Sequence, residues 1–170
     1  GQDILLSPEM KSTGEVMGLD ADLGIAYAKS QMASGSSLPL EGRVFISVSD
    51  AHKAEVADLA KRFADLGFKL SSTTGTAAVL AKAGLEVESV PKLAEGRPNT
   101  LDLLKNNEIQ LVINTPSGQA PRADEIKIRT TAIYTNTPIM TTMGSAKAAA
   151  EGIAALKQNG YSVKPLQEYL

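Results

Sequence analysis

Short apolar runs alternate with longer mixed segments along most of this chain. Residues 44–48 form a near-continuous run of apolar and β-branched side chains, which is the pattern of a strand buried on both faces. Comparable runs predict four more strands, at 68–71, 87–90, 109–114 and 139–141.

The segments between these strands have the apolar spacing of helices with one buried face. In the first of them, Val56, Leu59, Phe63 and Leu66 recur at three- and four-residue steps before Gly67 ends the pattern. Strands that alternate with helices need crossover connections, which place the strands parallel. The sequence therefore predicts a doubly wound α/β fold, a three-layer sandwich around a central, mainly parallel sheet. The inward positions expected on the later helices are Val79, Leu80 and Ala83, then Leu101 and Leu104, then Ile126, Thr130 and Ile133, followed by an alanine-rich helix over 145–157.

The beginning of the chain is less regular. A helix is predicted over 20–33, with Asp20 as its N-cap. Its expected inner face is only weakly apolar, so the helix needs another surface to pack on. That face consists of Leu23, Ala26, Tyr27 and Ser30.

Residues 33–39 are rich in Gly and Ser and end in Pro, a composition typical of a linker. We therefore expect two parts, a tail of an upstream domain with its linker over 1–38 and the main domain over 39–170. The chain starts at Gly1 without an initiator methionine, so we expect it to be a piece of a longer protein.

Composition narrows the classes of function. The 170 residues carry a net charge of −2, with 43% hydrophobic and 21% charged residues, so no bulk basicity favours nucleic-acid binding. Cysteine is absent and His52 is the only histidine, which excludes disulfides and thiolate or histidine-rich metal sites. No apolar run approaches the ~18 residues of a membrane span, and the first residues lack a signal-peptide pattern. We expect no metal, nucleic acid or membrane as a partner of this segment.

The segment 68–77 carries the strongest chemical signal. An apolar strand leads into Thr73-Thr74-Gly75-Thr76, after which a helix begins. The first backbone N–H groups of a helix lack intrahelical partners and lie at the positive end of its dipole, so they can bind an anion such as phosphate. We expect Gly75 to adopt a positive φ and to let the backbone approach the anion. An ordinary turn with threonine capping stays open as the alternative.

Polar side chains also follow the other predicted strands. They are Ser47 with Lys53, then Lys92, Asn114 to Ser117, and Thr141 with Thr142. Ligands of doubly wound sheets lie beyond the carboxyl ends of the strands. The predicted rim has hydroxyl, amide and ammonium groups and no carboxylate, so it suits a nucleotide monophosphate or a sugar phosphate. Because loops at strand ends are polar in any case, a rim that only contacts solvent is the alternative.

Catalytic groups are harder to find in this pattern. Asp50, Glu95 and His52 are the candidates for a general base near the rim. We expect His52 to face solvent, and we expect Glu95 to pair with Lys92 or Arg97 or to face water. Nucleophile elbows, Walker loops and dinucleotide-binding fingerprints are absent. The sequence thus favours binding without turnover, and no catalytic residue is assigned.

From residue 42 to about 156 the sequence resembles the methylglyoxal-synthase-like domain. This fold is shared by methylglyoxal synthase, the cyclohydrolase half of a purine-pathway enzyme and the C-terminal regulatory domain of the carbamoyl phosphate synthetase large subunit. The Thr73–Thr76 turn and the stretch Glu95-Gly96-Arg97-Pro98 carry the resemblance. Residues 8–18 also resemble the segment that ends the second ATP-grasp half of carbamoyl phosphate synthetase. The chain is therefore identified as a member of that regulatory-domain family.

The resemblance implies a regulatory domain that binds UMP as an inhibitor and, in some members, IMP as an activator. Pro116 stands where some relatives have a threonine that touches the nucleotide sugar, so the preference between UMP and IMP stays open. The resemblance implies phosphate contacts by Lys53, Thr73, Thr74, Gly75, Thr76 and Lys92, nucleoside contacts by Ser47, Leu93, Asn114, Thr115 and Ser117, and a contribution of Thr141 to an ornithine site.

The resemblance also implies a parent enzyme and its partners. That parent is a glutamine-dependent, ATP-dependent ligase of arginine and pyrimidine biosynthesis that uses Mg²⁺ or Mn²⁺ and K⁺. Its partners would be the synthetic half of the same subunit and the glutaminase small subunit, in the cytoplasm or the plastid stroma. No cofactor is expected in the present segment.

Two other functions remain as alternatives. One is a methylglyoxal-synthase-type lyase that acts on dihydroxyacetone phosphate with Glu95 as its base. The catalytic aspartate of that synthase has no counterpart here, since Glu95 or Gly96 falls at its place, and this argues against the lyase. The other is an oligomerisation domain with its contact on the alanine-rich helix.

Overall fold

The computed structural model describes residues 14–116 and 123–169. Within these residues, five parallel strands form one sheet in the order β3-β2-β1-β4-β5. The strands are β1 (Arg43–Ser47), β2 (Lys69–Thr73), β3 (Glu88–Val90), β4 (Leu111–Asn114) and β5 (Ile139–Met140). The five predicted strands and the parallel sheet are confirmed, with ends that differ by one or two residues.

Helices connect and cover these strands. The α-helices are α1 (Leu23–Ala33), α2 (Val56–Asp65), α3 (Thr74–Lys82), α4 (Thr100–Lys105), α5 (Ala123–Tyr134) and α6 (Met143–Asn159). Short 3₁₀ helices lie at Asp50–His52 and Leu166–Tyr169. Within the part of the chain that the structure describes, every helix is too short or too polar to span a bilayer.

Apolar layers fill the space on both sides of the sheet. On one side, Ile46 of β1 packs in a cluster with Phe63 of α2 and Ile153 of α6. On the other side, Phe45 packs in a second cluster with Leu104 of α4. Adjacent residues of β1 enter different clusters because successive side chains of a strand point to opposite faces. The predicted three-layer, doubly wound sandwich is confirmed.

Helix α1 packs against α6 through a close contact of two glycines. A Cβ atom added at Gly24 would lie 2.9 Å from the backbone oxygen of Glu151, and one added at Gly152 would lie 3.0 Å from the backbone oxygen of Gly24. The two backbones can approach this closely because neither glycine has a side chain. This contact supplies the packing surface that a weakly apolar helix requires.

The predicted cap of this helix is wrong, and its predicted inner face is only partly correct, since Tyr27 packs against the core and Leu23 does not. The side chain of Asp22, and not that of Asp20, accepts a hydrogen bond from the Ile25 N–H at 2.9 Å and caps α1. Leu23 is 77% exposed, whereas Ile25 and Ala28 are buried. The apolar spacing mispredicted the buried face of α1 because that face includes Gly24, and a hydrophobic pattern does not count glycine as a core position.

The inner faces predicted for two later helices also need correction. In α5, Ile126 and Ile133 are partly exposed, and Ile128 and Ala132 are buried in their place. In α3, Ala83 is exposed and lies just beyond the last helical residue. Alanine occurs on both surfaces of these helices, so the pattern gives it little directional information.

The strand order reverses between β1 and β4. From β1 the chain moves outward to β2 and β3, and it then returns to add β4 and β5 on the other side. Ser47 and Asn114, the last residues of β1 and β4, are register partners. A crevice is expected beyond the carboxyl ends at such a reversal, because the two following connections leave toward opposite faces of the sheet.

Candidate functional site

A cleft of about 720 Å³ lies at this reversal, beyond the carboxyl ends of β1, β2 and β4. Small-molecule sites commonly have volumes of roughly 300–1,000 Å³, so the cleft has room for a metabolite. Its walls come from the segment after β1, the start of α3, the loop after β3 and the first turns of α5. The lining residues are Ser47, Val48, Ser49, Asp50, Ala51, His52, Lys53, Thr73, Gly75, Thr76, Lys92, Leu93, Thr100, Asn114, Pro116, Asp124, Glu125 and Ile128.

Most of the residues predicted for a ligand site meet in this cleft. They come from segments that are far apart in sequence and are brought together by the parallel sheet. The predicted phosphate contacts found here are Lys53, Thr73, Gly75, Thr76 and Lys92, and the predicted nucleoside contacts found here are Ser47, Leu93 and Asn114.

The remaining predicted residues lie elsewhere. Thr74 is exposed and does not line the cleft, and Thr115 is buried, where its Oγ1 accepts a hydrogen bond from the Ser49 N–H at 3.0 Å. Thr141 follows β5 at the edge of the sheet, away from the reversal. Ser117 lies outside the described residues, as do residues 1–13, which hold part of the segment 8–18.

The start of α3 forms one wall of the cleft. Thr73 is its N-cap, but the Thr73 side chain makes no capping hydrogen bond, so Thr73 does not itself satisfy the first-turn N–H groups of α3. A Cβ atom added at Gly75 would lie 3.7 Å from Lys53 Nζ, so the ammonium group is beside this helix start. The helix dipole and the lysine together make this wall electropositive. The predicted positive φ at Gly75 is wrong, because Gly75 is the second residue of α3 and has helical geometry.

Both cleft lysines have a carboxylate nearby in the chain. Lys53 Nζ lies 2.5 Å from Asp50 Oδ1, and Lys92 Nζ lies 3.5 Å from Glu95 Oε1. Glu95 does not line the cleft, and its predicted pairing with Lys92 is confirmed. Exposed pairs of this kind contribute only ~0–1 kcal/mol each, so a bound anion can compete for either lysine.

The loop that carries Lys92 is fixed at its far end by a capping box. The Asn99 side chain accepts a hydrogen bond from the Leu101 N–H at 3.0 Å, and Asp102 Oδ2 accepts one from the Asn99 N–H at 2.9 Å. Arg97 also pairs with Asp102. The hydrogen bond from Arg97, together with that from the Asn99 N–H, lowers the pKa of Asp102 from 3.8 to about 2.

Carboxylates line the opposite wall of the cleft, contrary to the predicted rim. Asp124 and Glu125 belong to the first turn of α5, whereas Asp50, which also lines the cleft, pairs with Lys53 on the cationic side. Glu125 is buried, with 7% of its surface exposed. The prediction considered only residues directly after each strand, whereas α5 brings its first turn back over the cleft from farther along the chain. The cleft therefore has a cationic wall and an anionic wall.

Asn114 lies between these walls and is held by an arginine that the sequence analysis did not identify. Arg129 of α5 donates from Nε to Asn114 Oδ1 at 3.2 Å and from Nη2 to the Asn114 backbone oxygen at 3.1 Å. Asn114 is 2% exposed. The bond to Oδ1 orients the Asn114 side chain, and the bond to the backbone oxygen holds the guanidinium against the end of β4.

A chain of polar contacts connects the rim of the cleft to α6. His52 Nδ1 lies 3.0 Å from Glu55 Oε1, and Lys147 of α6 donates to Glu55 Oε2 at 2.9 Å. The bond from Lys147, followed by that from His52, lowers the pKa of Glu55. His52 is only partly exposed and lines the cleft, so the expectation that it faces solvent is only partly correct.

Sequence reasoning did not identify several other lining residues. Thr100, Glu125 and Ile128 belong to helices, and nothing in their local sequence separates them from other helical positions. Ser49 could have been found, because it lies only two residues beyond the end of β1. Among residues 14–116 and 123–169, no group of three or more His, Cys, Asp or Glu side chains is arranged to hold a metal ion.

Comparison with known proteins adds independent information. Residues 55–141 match the family model described as the MGS-like domain. The carbamoyl phosphate synthase large chain of Acidobacterium capsulatum is 53% identical over 167 residues, which is 98% of this chain. The C-terminal section of the carbamoyl phosphate synthase large chain of Aquifex aeolicus is 46% identical over 171 residues, again 98% of this chain.

A solved structure supports the fold alone. A methylglyoxal synthase from Elizabethkingia anophelis NUHP1 matches with a TM-score of 0.56 and 17% sequence identity, over 66% of this chain and 79% of that one. The predicted methylglyoxal-synthase-like architecture is confirmed by this match. The chain spans 15% of the length of the Acidobacterium capsulatum protein and 32% of the Aquifex aeolicus section.

Proposed function

This chain belongs to the carbamoyl phosphate synthase large-chain family and carries its MGS-like domain, and on that premise we propose that it is an allosteric domain. Its effector is a nucleotide monophosphate, UMP or IMP, which binds in the cleft at the strand reversal and is not converted. The effector changes the activity of the synthetic part of the parent protein.

One observation carries this proposal. The start of α3, Lys53 beside it and Lys92 from the loop after the neighbouring strand β3 all border one cleft. A phosphate monoester at this place would meet backbone N–H donors, hydroxyl groups and two ammonium groups. The anionic wall on α5 leaves the other end of the cleft for a group that donates hydrogen bonds, such as a ribose or a base. The pairing of Glu95 with Lys92 supports binding rather than base catalysis by Glu95.

We propose that regulation follows from a difference in affinity. The effector would favour one arrangement of the loops around Lys92 and Asn114, and these loops would contact the synthetic part of the protein. A ligand with different affinities for two arrangements shifts their populations. A coupling free energy of about 1–3 kcal/mol is enough for effective control.

The wider setting is part of the same proposal. The parent would make carbamoyl phosphate for arginine and pyrimidine biosynthesis from glutamine, with ATP, Mg²⁺ or Mn²⁺ and K⁺ bound in its other domains. A glutaminase small subunit would associate with it in the cytoplasm or the plastid stroma. Thr141, which lies outside the cleft, would contribute to an ornithine site at the border with the synthetic part.

Calorimetry with UMP and IMP on the intact protein tests this proposal. Lys53→Ala should weaken binding of both nucleotides by roughly 10- to 100-fold, because a charge-assisted hydrogen bond to phosphate contributes ~1.5–3 kcal/mol. Lys61→Ala is the matched control, because Lys61 pairs with Asp65 at 2.8 Å on α2 and does not line the cleft. This control should bind like wild type.

Two outcomes would contradict the proposal in different ways. Equal affinities for wild type and Lys53→Ala would remove the site from this cleft. Failure of wild type to bind either nucleotide, together with production of methylglyoxal from dihydroxyacetone phosphate, would replace the regulatory function with a lyase activity.

A further inference from the structure

The contact between Arg129 and Asn114 contains information about the ligand. Asn114 is the last residue of β4 and lines the cleft at the strand reversal. Its Oδ1 and its backbone oxygen both accept hydrogen bonds from Arg129. Its Nδ2 has no hydrogen-bond partner among residues 14–116 and 123–169. The polar atom of this buried side chain that is left for a ligand is therefore a donor.

The donor groups of Arg129 determine the orientation of the Asn114 side-chain amide. An asparagine amide can rotate by half a turn and exchange its oxygen and nitrogen, and its direction has to be assigned from its partners. A guanidinium has only donors, so Arg129 requires the oxygen of Asn114 to face it. The alternative rotamer would set N–H groups against N–H groups and leave both without an acceptor. Arg129 thus holds the Asn114 amide with its NH₂ group directed away from α5.

We propose that Arg129 is a positioning residue that makes Asn114 an obligatory hydrogen-bond donor, so that the cleft selects nucleotides with an oxo group on the base over those with an amino group. Uracil and hypoxanthine have a carbonyl oxygen where cytosine and adenine have an amino group. An amino group facing Asn114 Nδ2 would place two donors together. The inference rests on the proposed function, since it assumes that a nucleotide occupies the cleft.

The position of Asn114 in the sheet is consistent with a contact to the base. The proposed phosphate site lies at the start of α3, directly after β2, and Asn114 ends β4, with β1 between them. Neighbouring strands are ~4.8 Å apart, so the two places are separated by roughly 10 Å across the sheet. A mononucleotide with its phosphate at α3 extends its base toward the end of β4.

Four nucleotides measured on the intact protein test the inference. We expect wild type to bind UMP at least about tenfold more tightly than CMP, and IMP at least about tenfold more tightly than AMP, which corresponds to one unpaired buried donor. Arg129→Gln should reduce both ratios to about twofold or less, because glutamine can donate or accept and lets the Asn114 amide take either orientation. Loss of the Arg129 charge should weaken the binding of all four nucleotides alike. The UMP/CMP and IMP/AMP affinity ratios therefore report only the orientation of the Asn114 amide.

Arg129→Lys is the matched variant. Lysine has donors only, so it should keep Asn114 Oδ1 facing α5 and should preserve the oxo preference even if all affinities decrease. Thermal unfolding followed by circular dichroism shows whether each variant is folded. In Asn114→Asp the side chain can only accept, so both ratios should invert.

The possible outcomes distinguish failure of the proposed Arg129 role from failure of the proposed nucleotide-binding function. If wild type binds UMP and CMP equally, or if Arg129→Gln keeps the full ratio, the role of Arg129 is disproved and the nucleotide site remains. If none of the four nucleotides binds, the proposed function fails, and the inference fails with it. Loss of the ratio in Arg129→Gln with its retention in Arg129→Lys supports the inference.

Discussion

Two threonine-rich turns at the carboxyl end of the sheet have similar sequences, but only one of them caps its helix with side-chain hydrogen bonds. At the start of α6, Thr142 Oγ1 accepts a hydrogen bond from the Ser145 N–H at 3.0 Å, and Ser145 Oγ accepts one from the Thr142 N–H at 3.3 Å. At the start of α3, Thr73 makes no capping bond and the helix borders the cleft. A turn that satisfies its own N–H groups has fewer of them left for a ligand. Hydroxyl content alone therefore does not identify an anion site.

The largest expected effect on UMP binding comes from placing a carboxylate in the first turn of α3. Gly75 and Gly144 are each the second residue of their helix. Gly75→Asp places a carboxylate beside Lys53 and the free N–H groups, and we expect it to weaken UMP binding by at least about 100-fold through occupation of the donors and charge repulsion. Gly144→Asp is the matched control on α6. Calorimetry measures binding, and urea unfolding measures the ~0.3–1 kcal/mol that an acidic residue in the first turn adds to either helix.

Retention of UMP affinity in Gly75→Asp would show that the ligand does not use the start of α3. An equal loss in Gly144→Asp would mean that the effect is not local to the cleft.

Smaller effects are expected from the two N-cap threonines, one on stability and the other on UMP binding. Thr142→Ala should cost about 1 kcal/mol of unfolding free energy and leave UMP binding unchanged, because it removes a formed cap. Thr73→Ala should change stability by less than about 0.5 kcal/mol and weaken UMP binding by roughly three- to tenfold, because the Thr73 hydroxyl makes only a long 3.5 Å contact with Ser47 Oγ and can turn to phosphate instead. Urea unfolding measures the stability of both variants and calorimetry measures their UMP affinity. If both variants lost stability and affinity to the same extent, the prediction would be contradicted.

The smallest effect concerns α4, which borders the cleft and yet is capped internally. Asp102 has its pKa lowered to about 2 in the folded protein from an ordinary 3.8. Its contribution to stability is therefore complete above pH ~4 and is lost as the pH falls toward 2. Asp102→Asn should unfold at lower urea concentration than wild type at pH 7, and this difference should shrink between pH 4 and pH 2. A difference that stays constant across that range would rule out an effect of the Asp102 charge.

The sheet and the positions of the strand ends could be predicted from the sequence for a simple reason. A strand buried on both faces needs a continuous apolar run, as in 44–48, and few other structures produce one in five residues. Once the strands are parallel, the residues after them must meet at one edge. Ser47, Thr73 and Asn114 reach the cleft by this rule alone.

The parts that could not be predicted depend on contacts between helices and the cleft. Glu125 is buried although carboxylates are rarely core residues, and its position follows from the path of α5 rather than from any local pattern. Arg129 acts through its contact with Asn114, a relation over fifteen residues that the sequence does not display. Gly24 faces α6 because it lacks a side chain, which a hydrophobic pattern reads as a gap.

The contact between Gly24 and Gly152 restricts how this protein can vary in evolution. A methyl group at either position would come within about 3 Å of a carbonyl oxygen on the other helix, so α1 and α6 would have to separate by roughly half an ångström to accept it. Neither position can therefore drift to alanine at no cost, even though both lie outside the cleft. Natural substitutions there should occur together with compensating changes nearby, such as a smaller side chain in place of Leu38, which lies 3.0 Å from a Cβ added at Gly152.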